Sequence, residues 1–323
     1  MVDPTAPAGV LLYIIMVVGL VGNSIVLFVL IRLNKNWCTS TIYLLNLAIA
    51  DALFLISTPF IAQTVLNQEK WLFGSSMCTF IYYWVTFTMY AGVLVVTGMG
   101  VERWMAVVHP INLACYRTCK KAMIVCVGIW ILAALLALPQ AFYIRTVPHF
   151  HHNQSSNYTA DPPLYCDFYI PESNPNRLQI LGAVNFLLFF VGFLLPVTII
   201  GILYFQIVNA VRKSLLSRRV SKGRVTKLAC CIVTSFFVFW FPAQAVNFGS
   251  AILHWSDNAS IVHDRFLTFY PYAFSLAWSH SCFNPLAYAF LTTNFREKAR
   301  VAFSRRPSTI SMRVSSTNPT YYK

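Results

Sequence analysis

The stretch GVERWMAVVHP, residues 100–110, sets Glu102 and Arg103 side by side at the end of the apolar run from Phe80 to Val101. Trp104, His109 and Pro110 follow. A carboxylate and a guanidinium brought together at such a boundary form a strong pair when water is partly excluded. Asp51 stands alone inside another apolar run, LNLAIADALF, and Asn23 (in GLVGNSIVLF) and Asn284 (in SCFNPLAYAF) lie at similar depth in theirs. A carboxylate in such a run is costly, so it faces a polar cavity or a partner. A cluster of Asp51, Asn23 and Asn284 suits bound waters or a sodium ion, and it equally suits a structural hydrogen-bond network between helices. Gly92 offers such an ion no side-chain oxygen. The sequence carries no metal-ligand spacing, phosphate-binding loop or nucleophile motif, so an enzyme is not expected.

The elements that must position these residues follow from composition. The chain has 323 residues, of which 57% are hydrophobic and 11% charged, against about 25% charged in soluble domains. Seven runs reach the roughly 20 mostly apolar residues that a membrane-spanning helix needs. They lie near 8–32, 41–66, 76–108, 122–145, 178–211, 225–254 and 265–291. The first is too long for a signal-peptide core of about 7–15 residues. The short alternating segments of a membrane β-barrel are absent. The expected architecture is an all-α membrane protein: a seven-transmembrane helix bundle over 8–293, preceded by a short outer segment, 1–7. Pro196, Pro242 and Pro285 each remove a backbone donor from a span and permit a hinge there.

Charge sets the orientation. Lys70, Arg145, Arg177 and Arg265 fall on one side, and the other 20 of 24 Lys and Arg on the opposite side, which the positive-inside rule makes cytoplasmic. The net charge of +14 is therefore a cytoplasmic excess facing lipid headgroups, and nucleic acid is not needed to explain it. Sequons at Asn153, Asn157 and Asn258 all lie in loops assigned outside. Of nine cysteines, Cys78 and Cys166 alone fall on the oxidising side. A disulfide between them would pin the loop after the fourth span over the bundle.

These motifs resemble, in order and at matching depths, those of a rhodopsin-like (class A) G-protein-coupled receptor over nearly the full chain. Gly22-Asn23 resembles the first helix, LNLAIAD the second, KWLFGSSMC the first outer loop, and Glu102-Arg103-Trp104 the family's Asp/Glu-Arg-Tyr. Trp130 and Pro139 are similar to the fourth helix, Pro196 and Tyr204 to the fifth, Phe239-Trp240-Phe241-Pro242 to the sixth, and Asn284 to Tyr288 to the seventh-helix NPxxY. The resemblance implies a resting pair of Glu102 with Arg103, released when the sixth helix swings about Pro242. Packing around Phe236, Trp240, Pro196 and Val93 would shift, Tyr204 and Tyr288 would turn inward, and Arg103 would meet a heterotrimeric G protein. Trp104 in place of tyrosine, and Lys222, Arg224 and Lys227 with no acid nearby at the start of the sixth helix, predict a loose resting state with basal activity. Residues 294–303 are expected as an amphipathic helix 8 against the lipid bilayer. The tail 304–323 offers serines and threonines to receptor kinases and arrestin.

The ligand is less legible. Trp278 stands where opsins carry the retinal lysine, and Val85 where amine receptors carry an aspartate. The cadence of WLFG, VVHPI and SFFVFWFP resembles peptide receptors of the somatostatin, galanin, angiotensin, relaxin-3 and chemoattractant groups, for which coupling to the inhibitory G-protein class is implied. Expected pocket walls are Gln63, Tyr82, Val85, Thr86, Met89, Phe186, Leu188, Trp240, Gln244, Asn247, Phe274 and Trp278: apolar or aromatic, a few amides, no charge. They suit the apolar end of a peptide, with Asp167 and Glu172 placed to meet its basic part. A lipid agonist, a constitutively active orphan, a non-signalling decoy and a transporter are the competing readings. Against the last, no inverted repeat is evident.

Overall fold

An apolar segment of 20 residues or so in a bilayer satisfies its backbone polar groups only within itself, so each becomes a helix. A computed structural model of the chain describes residues 5–33, 39–148, 162–171, 173–213, 234–249, 252, 259–291, 299, 300 and 302. Its helices are α1 (Ala6–Leu33), α2 (Thr39–Ile56), α3 (Thr58–Leu66), α4 (Ser75–Val107), α5 (Cys119–Leu136), α6 (Leu138–Tyr143), α7 (Arg177–Phe189), α8 (Leu195–Lys213), α9 (234–249) and α10 (Ala259–Leu291). They group into seven spans: α1, α2 with α3, α4, α5 with α6, α7 with α8, α9, and α10. The first five are each long and apolar enough to cross a membrane. The seventh is more polar, because Ser275, Ser279, His280, Ser281 and Asn284 line its inner face.

Apolar side chains cover the outside as well as the inside. Val10, Ile14, Val17, Val18 and Val21 on α1, and Ile124, Val127, Ile131 and Leu135 on α5, are all more than half exposed or close to it, at helical spacing. Water would penalise such stripes; hydrocarbon does not. Some buried seams also need small residues. A Cβ on Gly19 would sit 2.5 Å from Leu55, and one on Gly22 would sit 3.1 Å from Pro285, so glycine there lets α1 lie against α2 and α10.

Three spans break where proline forces them to. Pro59 and Pro139 stand at the starts of α3 and α6. The Ser57 N–H turns to the Phe54 carbonyl, and the indole of Trp84 on α4 donates to the carbonyl of Leu53 at 2.8 Å. A backbone acceptor freed by the break is thus capped from a neighbouring helix. Ahead of Pro196, residues Phe190–Leu194 form a π-helical turn, which absorbs the ring's demand for space in the preceding turn. The hydropathy reading took the second, fourth and fifth spans as single segments; its hinges at Pro196, Pro242 and Pro285 did not include Pro59 or Pro139.

The all-α expectation gains one outer hairpin. Strand β1 (Ile144–Pro148) pairs antiparallel with β2 (Leu164–Phe168), with Thr146 opposite Cys166. The Cys78–Cys166 disulfide ties β2 to the start of α4. The Trp71 N–H donates to the Leu164 carbonyl at 2.8 Å, a second anchor for the same strand.

Candidate functional site

The candidate residues occupy three levels along the bundle axis. At the inner end of α4, Glu102 is almost wholly buried, at 2% side-chain exposure, whereas Arg103 is half exposed at 49%. The expected pair forms, but loosely. Successive residues on a helix point about 100° apart and do not face each other. Only the Arg103 Nε approaches Glu102 Oε2, at 3.7 Å. Two other groups hold the carboxylate more closely: the Ser40 hydroxyl donates to Oε2 at 3.1 Å and the Arg117 guanidinium to Oε1 at 3.3 Å. The Trp104 indole donates to the Gln206 side chain on α8 and its ring meets His109 edge-on. Tyr204 packs, half-buried, against the cluster of Val95, Val96 and Ile200. Tyr288 lies on the helical backbone of α10, but its side chain is outside the described residues, as are Lys222, Arg224 and Lys227.

The middle level is a polar knot. Asp51 Oδ1 accepts from the Ser281 hydroxyl at 3.0 Å and Oδ2 from the Asn284 amide at 2.8 Å. Asn23 belongs to the same knot without touching Asp51. Its amide donates to the Ser281 carbonyl at 3.0 Å and to the Gly19 carbonyl at 2.9 Å. The reason is covalent. Pro285 has no N–H for the carbonyl four residues earlier, that of Ser281, and Asn23 supplies the missing donor from α1. Asn23→Leu leaves that buried carbonyl unpaired, and the thermal stability of the solubilised protein is expected to fall by about 1–3 kcal/mol.

Next to the knot lies a small cavity lined by Asp51, Thr88, Met89, Gly92, Trp240, His280 and Ser281 among others. The volume open to water centres is ≈ 20 Å³, enough for about one water. Asp51, Thr88 and Ser281 bring side-chain oxygens to this cavity, while α4 presents Gly92 with none. The hydrogen bonds from Ser281 and Asn284 to Asp51 join the second span to the seventh.

Beside the cavity, Phe236 is fully buried and forms a chain of rings. It lies 6.1 Å from Phe193, 6.3 Å from Trp240 and 5.8 Å from His280, edge-on to the last. Val93 packs into the same cluster. Pro196 is buried one turn below Phe193, and Pro242 sits within α9.

The expected pocket walls divide. Met89 and Trp240 line the cavity, and Phe274 packs between them and Trp278. Trp278 is itself core: its indole donates to Thr58 at 3.2 Å. Gln63 accepts from the Tyr13 hydroxyl at 3.4 Å. Tyr82 and Val85 join the cluster of Trp71 and Cys78 beneath the hairpin. Leu188 packs toward Tyr90 and Ala133, while Phe186 is 44% exposed and so stands at the rim of the spans. Thr86 is buried and Asn247 half-buried. Gln244 is buried with its Oε1 unpartnered, and Trp240 is buried with its Nε1 unpartnered. Asn153, Asn157, Asn258, Glu172 and most of residues 294–323 lie outside the described residues.

A family model, 7 transmembrane receptor (rhodopsin family), matches residues 22–288, which include the inner-mouth pair, the polar knot and the ring chain. The chain belongs to this receptor family. The receptor is 33% identical to somatostatin receptor type 4 of Rattus norvegicus, over 88% of this chain and 69% of that protein. It is 31% identical to the somatostatin receptor type 1 of the same species, over 88% and 68%. It is also 31% identical to the type-1 angiotensin II receptor of Sus scrofa, over 94% and 85%. It is a multi-pass membrane protein of a receptor family, not of an enzyme family.

Sequence reasoning missed four contributors to the receptor's site: Ser40, Arg117, Phe193 and Ser281. A signal existed for Ser281, the fourth residue before Pro285. Phe193 likewise stands three residues before Pro196. Ser40 reaches Glu102 from the start of α2, and Arg117 from a loop whose path no local pattern in the sequence fixes.

Proposed function

We propose that the receptor resides in the plasma membrane, with its N-terminus outside and C-terminus cytoplasmic, and transduces the binding of an extracellular peptide to heterotrimeric G proteins of the inhibitory class. The likeness, along most of the chain, to receptors named for somatostatin and angiotensin II carries the peptide reading. The pocket chemistry supports it. Gln244 Oε1 lacks a donor and Trp240 Nε1 lacks an acceptor, both in buried positions one helical turn apart on α9. An amide offers both partners at once. A lipid tail offers neither and leaves two buried polar atoms unpaired, which is costly.

Contact at Trp240 shifts the rings of Phe236 and Phe193 and the packing at Val93. α9 then swings about Pro242, Tyr204 and Tyr288 turn inward, and the half-exposed Arg103 meets the G protein. Asp51, Asn23, Asn284 and Pro285 keep the first, second and seventh spans in register through the movement. Residues 294–303 lie on the bilayer, the serines and threonines of 304–323 recruit receptor kinases and arrestin, and Asn153, Asn157 and Asn258 carry glycans.

The test is a peptide and lipid collection applied to cells expressing the receptor, with inhibition of cAMP synthesis as the readout. A peptide is expected to respond, and Gln244→Leu is expected to raise its half-maximal concentration about tenfold, the worth of one buried hydrogen bond. A response to lipids alone contradicts the reading.

A further inference from the structure

The pair at the inner mouth is a trio, and its third member lies in the second inner loop. Arg117 follows the short turn Ala114–Tyr116 and precedes α5. Its backbone carbonyl accepts from the Thr39 hydroxyl at 3.2 Å, which anchors it to the start of α2. On the far side, Thr118 caps α5, and Lys121 lies 4.4 Å from the Tyr116 ring while donating to the Cys115 carbonyl at 3.0 Å. The loop is therefore built to hold the Arg117 guanidinium against Glu102 Oε1, at 3.3 Å. Arg103 reaches the other oxygen only at 3.7 Å and shares it with Ser40.

Glu102 is a buried single negative charge with two cations beside it. A buried carboxylate needs a counter-charge, since an uncompensated one is strongly unfavourable. Whichever arginine takes less of that role is freer to leave. We infer that Arg117 is a positioning residue that competes with Arg103 for Glu102, and that by taking the closer contact it keeps Arg103 available to the G protein. The second inner loop thereby sets the receptor's basal activity. Without Arg117, the whole compensation of Glu102 falls to Arg103, which is drawn in and held.

The sign of this effect separates it from a plain structural role. Losing a brace from a resting state raises activity; losing a competitor of Arg103 lowers it. The lowering also requires the carboxylate. It disappears when Glu102 is already neutral, since glutamine exerts no pull on Arg103.

The experiment uses full-length receptor in detergent micelles with purified heterotrimers of each G-protein class, and measures ligand-free nucleotide exchange per folded receptor. Wild type, Arg103→Ala, Arg117→Gln, Glu102→Gln and the Glu102→Gln/Arg117→Gln pair are compared. Arg117→Gln is expected to lower exchange about fivefold, within the usual range for coupled sites. Glu102→Gln is expected to raise it, and the double variant to match Glu102→Gln. Arg117→Lys, which keeps the charge, restores part of the activity. The inference rests on the G-protein reading, and the arms tell the two failures apart. Ligand-free exchange no greater for wild type than for Arg103→Ala, in every class, overturns this inference, since there is then no basal activity for the loop to set; peptide-stimulated exchange that is absent in every class sinks the G-protein reading as well. Exchange that Arg103→Ala removes but Arg117→Gln raises or leaves unchanged overturns the inference alone. So does a drop of equal size in the Glu102→Gln background.

Discussion

Receptor-stimulated nucleotide exchange is expected to fall at least about tenfold in Arg103→Ala, with the amount of folded receptor at the cell surface unchanged. The size follows from one charge-assisted hydrogen bond, worth about 1.5–3 kcal/mol, lost from the complex with the G protein. The absence of a folding defect follows from the geometry. The Arg103 side chain is half exposed, and its contact with Glu102 is a single approach of Nε at 3.7 Å. Glu102 keeps Ser40 and Arg117 when Arg103 is gone. Surface staining beside an exchange assay checks both parts. A variant that loses surface receptor in proportion to signal contradicts the assignment, because it would make Arg103 a structural residue.

The second large effect is at the outer face. Cys78→Ser opens a link that spans 88 residues of sequence, and the solubilised receptor is expected to lose about 2–5 kcal/mol of stability. Long loops lose the most closure entropy when cut. Cys166→Ser should cost the same, and the double variant no more than either single one. The hairpin is not set wholly free, because Trp71 still donates to Leu164 and Lys70 still bridges to Tyr165. Peptide binding is nevertheless expected to weaken, since β2 forms the lid over Tyr82 and Val85. Thermal unfolding of the three variants measures the first effect, and labelled-ligand binding the second. An additive double variant would show that the two thiols act separately.

Much of this architecture was legible in the sequence because membrane spans declare themselves by length and hydropathy, and because a lone Asp51 in such a span must find partners. The Asp51–Asn284 contact and the Cys78–Cys166 bond both join residues that the sequence reading had put together. Local breaks were legible only in part. Pro59 and Pro139 carry the same chemistry as Pro196, but hydropathy averages over a proline and reads straight through it. The strand pairing of 144–148 with 164–168 was not legible, as short strands in a polar loop have no apolar period to reveal them. At the inner mouth the expected pair of Glu102 with Arg103 is present at 3.7 Å, but it is not the carboxylate's closest ion pair. Adjacent charges in sequence suggest a pair, yet adjacency on a helix separates side chains, and the closer partner came from 15 positions away. In the expected pocket, composition named apolar walls and a few amides. It did not distinguish Trp278, committed to Thr58, from Trp240 and Gln244, whose polar atoms remain unpartnered.

Peptide capture and G-protein coupling are best separated by recording binding and coupling on the same cells. A labelled peptide found by screening would be applied to wild type and Arg103→Ala, with surface-bound label and G-protein dissociation read together across the main classes. Saturable binding to both is expected, with dissociation of an inhibitory-class G protein in wild type alone. Saturable binding with no dissociation in any class for wild type would contradict that expectation, and would leave a receptor that captures its ligand without passing the signal inward.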